Sequence, residues 1–288
     1  MSESVFVVGA GTMGAGIAQV AAAAGGQVSL YDNVPGAASR ARDRIASSLE
    51  RAATKGYVTP EALQQTLLNL HISDDLEDAA AAAIVIEAVK EEVAIKQSVF
   101  LALEKFILPS TAIWTNTSMI SIGLLSGPLA NPERFCGAHF FNPVPRMKLV
   151  ELIAGPRTAP STIEVARETV TRWGKTPVLA PDTPGFLVNR ILDAIKREAL
   201  DLLDQGVPPD QVDTAVRLGL NFPMGPLELM DLIGLDTTLD CMINQARAMG
   251  RPAEFSPKIT SLVKAGKTGR KAGEGFYLYD QQPGSNSD

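Results

Sequence analysis

The chain has 288 residues, 45% hydrophobic and 20% charged, enough for about two domains and for burial of roughly three quarters of the unfolded surface, which excludes disordered and collagen-like classes. Lys and Arg number 26 against 32 Asp and Glu, a net charge of −6, so neither nucleic acid nor an anionic membrane surface is an expected partner. The two cysteines, Cys136 and Cys241, are far apart and lack metal-ligand spacing, so a disulfide framework and a metal site are not expected and a reducing cytoplasm is the expected location.

Ser4 to Val8 reads as a strand, Thr12 to Ala24 as a helix and Gln27 to Tyr31 as a second strand, one βαβ unit. No residue from Val5 to Tyr31 is charged, yet the six glycines of that stretch argue against a membrane span. Next come a long helix from near Gly36 to Lys55 and a shorter one from Pro60, too much chain for one crossover. This helical hairpin is expected to protrude from the sheet. Apolar runs at Leu70 to Ile72, Ile84 to Val89, Ala112 to Thr115, Cys136 to Phe140, Lys148 to Ile153 and Thr176 to Ala180 alternate with helical patterns. The fold class that follows is α/β, with a Rossmann-like, doubly wound, mainly parallel sheet.

Around Asp182-Thr-Pro-Gly the strand pattern stops, and helices are expected from Phe186, Pro209, Leu227, Asp236 and Ser256. Two domains are therefore expected, 1–182 and an all-α 183–288. The apolar helix faces of the second suit a homodimer. The residues from Gln281 onward read as a loose tail.

Gly9-Ala-Gly11-Thr12-Met13-Gly14 fits G-x-G-x-x-G: the first Gly permits the tight turn, the second lets backbone approach a pyrophosphate, and the third allows close helix packing. It follows a strand, opens a helix, and is answered by Asp32 at the end of the next strand, a context that predicts dinucleotide binding. Asp32 can accept from a ribose 2′-hydroxyl, whereas a 2′-phosphate would meet like charge and has no adjacent Arg in the sequence. NAD is favoured over NADP on that ground.

Only two histidines occur, His71 and His139, so a neutral-pH proton acceptor, if it is histidine, is nearly assigned by elimination. His71 reads as a strand-edge residue. His139 stands where an apolar strand meets a Pro-rich turn, and the next strand carries one acid, Glu151, between Val150 and Leu152. If the strands fold back about Pro145, the two side chains become neighbours and the carboxylate gains the partner its apolar setting requires. A strand-edge His and an exposed Glu fit these residues equally well. Ser118, in Thr115-Asn-Thr-Ser after a strand, and Asn189, at the start of the second domain, are candidates to hold a substrate oxygen; helix capping and a surface amide are the alternatives.

On the inserted helix, Arg40, Arg44, Ser48, Arg51 and Lys55 are spaced 4, 4, 3 and 4, which gathers them on one face at about 100° per residue. Ala41, Ile45, Leu49 and Ala52 occupy the opposite face. The stripe is either a solvated surface or a landing strip for a phosphorylated substrate.

These residues together resemble the L-3-hydroxyacyl-CoA dehydrogenases, in particular the short stand-alone 3-hydroxybutyryl-CoA dehydrogenases of bacteria. The resemblance runs from about Ser4 to Asp280 and rests on Gly9-Ala-Gly-Thr-Met-Gly-Ala-Gly-Ile-Ala, Ile86-Glu-Ala-Val, Asn116-Thr-Ser, His139-Phe-Phe-Asn-Pro-Val-Pro, Asp182-Thr-Pro-Gly-Phe-Leu-Val-Asn-Arg, Pro223-Met-Gly-Pro, Gly234-Leu-Asp and Gly273-Glu-Gly-Phe-Tyr. It implies NAD-dependent, reversible oxidation of a short-chain (S)-3-hydroxyacyl-CoA to the 3-oxoacyl-CoA. His139 is implied as general base, Glu151 as its orienting partner, and Ser118 and Asn189 as groups on the substrate oxygen. Glu91, Lys96, Asn142, Lys271 and Ser118 are implied at the cofactor, and Ser48 and Lys55 at coenzyme A, with Arg51 of the same stripe as a further substrate-binding candidate. The alternative is a dehydrogenase of a free hydroxy acid, like the gulonate or carnitine dehydrogenases; those typically carry His-Pro where this chain has His139-Phe140.

Overall fold

The computed structural model describes residues 3–253 and 255–279, so the expected tail from Gln281 lies outside the described residues. Two compact units divide the chain, Met1–Leu187 and Val188–Asp288.

In the first unit, strands β1 (Ser4–Val8), β2 (Gln27–Tyr31), β3 (Leu70–Ser73), β4 (Ile84–Glu87), β5 (Ala112–Thr115), β6 (Phe135–Phe140), β7 (Leu149–Ala154) and β8 (Thr176–Ala180) form one sheet ordered β3-β2-β1-β4-β5-β6-β7-β8. Neighbours are parallel except β6 and β7. The order reverses between β1 and β4, and the crevice beyond the strand ends at such a switch point is where ligands bind in open α/β sheets. The unbroken apolar run of β1 follows from its burial on both faces. Val5 and Val7 join one core with α1 (Thr12–Ala23), α2 (Ala37–Thr54), α3 (Pro60–Leu68) and α6 (Pro160–Arg172), while Phe6 and Val8 join the other with α4 (Val93–Leu103) and α5 (Ile122–Ser126).

The inserted hairpin protrudes only in part. Ala38, Ala41, Ile45 and Leu49 are buried, and α2 packs on α1, α3 and β3. Past Leu49 the apolar spacing lapses, and no residue from 50 to 62 is buried. The base of the hairpin is thus core, and only its tip stands out.

The boundary between the units falls later than the expected 182. Phe186 is fully buried in the second core of the first unit, and the amide of Leu187 donates to Glu151 Oε1 at 3.0 Å. Phe186 also has φ +48°, a left-handed backbone rarely adopted by an aromatic residue, so the next helix begins at Val188 and not at Phe186.

The second unit comprises α7 (Val188–Asp204), α8 (Pro209–Gly219), α9 (Pro226–Ile233), α10 (Leu235–Ala248) and α11 (Pro257–Lys264) around Leu200, Leu203, Leu227, Met230, Leu235, Met242 and Ile259. Two buried acids fasten it. Asp213 accepts from the amides of Leu227 and Glu228 and from the Tyr277 hydroxyl, and Asp231 from the amides of Phe276 and Tyr277 and the Tyr279 hydroxyl. A Cβ on Gly275 would stand 2.0 Å from Asp231 Oδ1, which explains the glycine of the Gly273-Glu-Gly-Phe-Tyr signature. Among the described residues no helix is long and apolar enough to cross a membrane.

Candidate active site

The three glycines of the turn after β1 are glycines for different reasons. Gly9 has φ +105°, and a Cβ there would come within 2.7 Å of the Ala88 carbonyl oxygen; one on Gly14 would fall 1.8 Å from the Gly9 carbonyl oxygen. Packing inside the protein therefore requires both. A Cβ on Gly11 would meet nothing within 4 Å, so its smallness serves something outside the protein. Gly11 also caps α1 without a side-chain hydrogen bond, which leaves the first-turn amides of Thr12, Met13 and Gly14 directed at that space. These residues fit a dinucleotide pyrophosphate.

Asp32, at the end of β2, accepts from the amide of Ala10 at 2.7 Å and that of Val34 at 2.9 Å, so the ribose-reading carboxylate and the glycine turn are fixed to each other. Each oxygen keeps a lone pair for a ribose hydroxyl. No arginine adjoins Asp32 in sequence, but Arg44 Nη2 donates to the Ala10 carbonyl oxygen at 3.1 Å, because α2 turns back along α1.

Beneath the next strand ends lies a charged pedestal. Lys96, 1% exposed, reaches Glu87 Oε1 at 2.7 Å, Glu91 Oε2 at 3.1 Å and the Val89 carbonyl at 3.3 Å. Glu87, itself fully buried, also accepts from the Thr115 hydroxyl at 2.6 Å and the Val89 amide at 2.7 Å. Burial pushes the Glu87 carboxyl up, and Lys96 with these hydrogen bonds only partly opposes it. Burial also works against the charge of Glu91, but Lys96 and the bonds from Thr117 and Ser118 outweigh it and hold that carboxyl below the usual carboxylate range. Glu91 Oε1 accepts from Thr117 Oγ1 at 2.6 Å, the Ser118 amide at 2.7 Å, and Ser118 Oγ and the Met119 amide at 3.2 Å each. Lys96 therefore acts through Glu91 and the loop after β4, with its ammonium out of reach of solvent. Glu87 was missed in the sequence, although a lone acid inside Ile84-Val-Ile-Glu, nine residues before a lysine, is a readable signal.

His139, on β6, and Glu151, on β7, lie directly opposite in the antiparallel register. His139 Nδ1 is 2.7 Å from Glu151 Oε2; the imidazole is 6% exposed and the carboxylate fully buried. The second oxygen, Oε1, takes the Leu187 amide, so Glu151 is held on both sides. With Nδ1–H donating to the carboxylate, Nε2 is left as the acceptor. The dyad is built, and the exposed-Glu alternative is excluded. Asn116, after β5, accepts from the Phe140 amide through Oδ1 at 2.9 Å, tying the Ser118 loop to the histidine strand. Asn142 is exposed just past the end of β6. His71 is on the edge strand β3, exposed and 3.1 Å from Gln27 Oε1.

Asp182, whose role sequence reasoning missed, accepts from the Ser121 hydroxyl and the amides of Ile122 and Gly123 at 2.8 to 2.9 Å, so it caps α5 behind the Ser118 loop. Its family signature marks the residue, but nothing local points to the cap, because its partners lie about sixty residues earlier. Ser48 and Arg51 in the last two turns of α2, and Lys55 just past its end, are exposed. In the second unit Asn189 stands in the first turn of α7, and Lys271 pairs with Asp236 at 2.6 Å, so its ammonium already has a carboxylate partner.

Two family models match: 3-hydroxyacyl-CoA dehydrogenase, NAD binding domain, over residues 4–183, and 3-hydroxyacyl-CoA dehydrogenase, C-terminal domain, over residues 185–279. The chain is 43% identical to 3-hydroxyadipyl-CoA dehydrogenase of Escherichia coli K12 over 96% of its length, and spans 58% of that protein. It resembles the crystal structure of 3-hydroxybutyryl-CoA dehydrogenase from Escherichia coli K12 at 41% identity and a TM-score of 0.94, covering 99% of this chain and 61% of that one. With (S)-3-hydroxybutyryl-CoA dehydrogenase of Ralstonia eutropha the identity is 37% and the TM-score 0.93, covering 98% of this chain and 100% of that one. The chain thus spans about three fifths of the first two and the whole of the third.

Proposed function

The chain belongs to the 3-hydroxyacyl-CoA dehydrogenase family, and from that premise we propose that it catalyses the reversible, NAD-dependent oxidation of short-chain (S)-3-hydroxyacyl-CoA to 3-oxoacyl-CoA. The observation that carries the reading is the buried 2.7 Å His139–Glu151 pair at the C-terminal edge of a dinucleotide-binding sheet. Bound NAD supplies the acceptor for the hydride leaving C3. His139 Nε2 takes the proton of the 3-hydroxyl, and Glu151 stabilises the imidazolium and keeps the ring in the tautomer that leaves Nε2 basic.

Ser118 is the first group on the substrate oxygen. Its hydroxyl contact to Glu91 is 3.2 Å, long beside the 2.6 and 2.7 Å bonds which that oxygen already receives, so a substrate oxygen displaces it at low cost. Asn189, in its family motif, is the second donor. Donors placed where negative charge develops are worth a few kcal/mol each at comparable sites. Glu91, held charged on Lys96, orders the Ser118 backbone and borders the cofactor with Asn142; Lys271 is assigned to the cofactor by motif alone. Ser48, Arg51 and Lys55 on the hairpin tip offer a hydroxyl and two cations to the phosphates of coenzyme A. The acidic composition and the two distant cysteines suit a cytoplasmic enzyme, and the family and the exposed apolar helices of the second unit suit a homodimer.

The test is NADH oxidation by the purified protein with acetoacetyl-CoA, run beside free acetoacetate. Turnover with the thioester alone is expected. Turnover with the free acid, or NADH binding without turnover of any acyl-CoA, would overturn the reading.

A further inference from the structure

Two arginines of the α2 stripe turn away from its tip. Arg44 Nη2 holds the Ala10 carbonyl at 3.1 Å, and Arg40 Nη1 reaches the Pro35 carbonyl at 3.4 Å, 2.9 Å from where a Cβ on Gly36 would stand. Ala10 and Val34 are the residues whose amides grip the two oxygens of Asp32. Ala10, whose amide is held by that carboxylate, is therefore held at its carbonyl by Arg44, and the segment on the other side leads within one residue to the carbonyl bound by Arg40. An acid at this corner of a Rossmann sheet reads a ribose 2′-hydroxyl, and an arginine beside it accommodates a 2′-phosphate. This chain has the acid, and it has Arg44 on the carbonyl of Ala10, the residue whose amide that acid holds.

Arg44 has used one donor of a five-donor fork and remains exposed, so it can take a second acceptor while keeping the first. Asp32, for its part, has its charge partly compensated by two amides, which lessens the like-charge penalty that a 2′-phosphate would meet.

We propose that Arg44, backed by Arg40, forms a 2′-phosphate subsite beside Asp32, so that the protein binds NADPH in addition to NADH. NADH remains the tighter ligand, because Asp32 repels the phosphate that Arg44 attracts. The bland alternative is that Arg44 only fastens the glycine turn, and the two are separable because fastening serves both nucleotides equally.

The experiment is direct titration of the full chain with NADH and NADPH, followed by nucleotide fluorescence with no acyl-CoA present, so its outcome does not depend on the proposed dehydrogenase reaction. The native protein is expected to bind both. Arg44→Gln is expected to weaken NADPH about tenfold and NADH by a clearly smaller factor, the loss of one charge-assisted contact. Asp32→Asn, which removes the charge and keeps an acceptor for only one of the Ala10 and Val34 amides, is expected to tighten NADPH, and the double variant to lose that gain. Equal weakening of both nucleotides by Arg44→Gln, or a gain from Asp32→Asn that survives the loss of Arg44, would overturn the subsite. So would the absence of NADPH binding to the native protein at low salt.

Discussion

His139 meets Glu151 through one ring nitrogen and offers the other, so a substitution that keeps shape but cannot accept a proton isolates its chemical role. His139→Gln is expected to lower turnover of acetoacetyl-CoA at least about a hundredfold, the range for loss of a general base, with NADH affinity retained. Loss of NADH binding in a fluorescence titration would mean that the residue is structural. Glu91 supports a pH prediction. Its carboxyl is held below the usual range, so the stability it lends the Ser118 loop is fully present above the ordinary carboxylate pKa and lost only as pH falls through the depressed value. The Ser118 amide resonance is therefore expected to titrate with a midpoint below about 4.3, the unperturbed glutamate value; a midpoint above it, or one that persists in Glu91→Gln, would contradict the assignment.

At the scale of elements, the pedestal joining β4 to α4 and the tip of α2 make opposite kinds of claim. Glu87 and Lys96 are a buried ion pair, and removing one partner strands a charge in the interior. Lys96→Met alone is expected to cost about 3 to 5 kcal/mol, and the double variant Glu87→Gln with Lys96→Met clearly less. Urea unfolding of the set measures the difference; additive losses would mean that the pair is uncoupled. The tip of α2, exposed and outside the core, can change without such a cost. Arg51→Gln with Lys55→Gln is expected to raise KM for acetoacetyl-CoA about tenfold by removing two phosphate partners and to leave KM for NADH in place. Movement of both constants would make the stripe a fold element.

For the whole molecule, the second unit leaves Leu218 exposed at the end of α8 and Leu220 and Phe222 exposed just after it, with Leu232 and Ile233 exposed at the end of α9, and apolar surface of this kind is what a self-complementary interface covers. Sedimentation is expected to give a dimer at micromolar concentration and Leu218→Asp with Leu220→Asp a monomer; a monomeric native protein would refute the homodimer. How much of the molecule was legible beforehand follows from the range of each signal. The glycine turn, Asp32 and the eight strands were readable, because strand alternation and turn chemistry are local; the pairing of His139 with Glu151 was one of two readings, and the antiparallel register of β6 and β7 decided it. Burial of Glu87 and Lys96, the cap by Asp182 on residues about sixty positions earlier, and the return of Arg44 to the glycine turn were not readable, because each depends on which elements pack together. The sequence by itself determined the fold class and the dinucleotide turn through period and spacing; only the tertiary structure decided that His139 meets Glu151, which charges are buried together and that Arg44 and Arg40 hold the carbonyls of Ala10 and Pro35, because electrostatic partnership is set by distance in space and by exclusion of water, and neither is written in the order of residues.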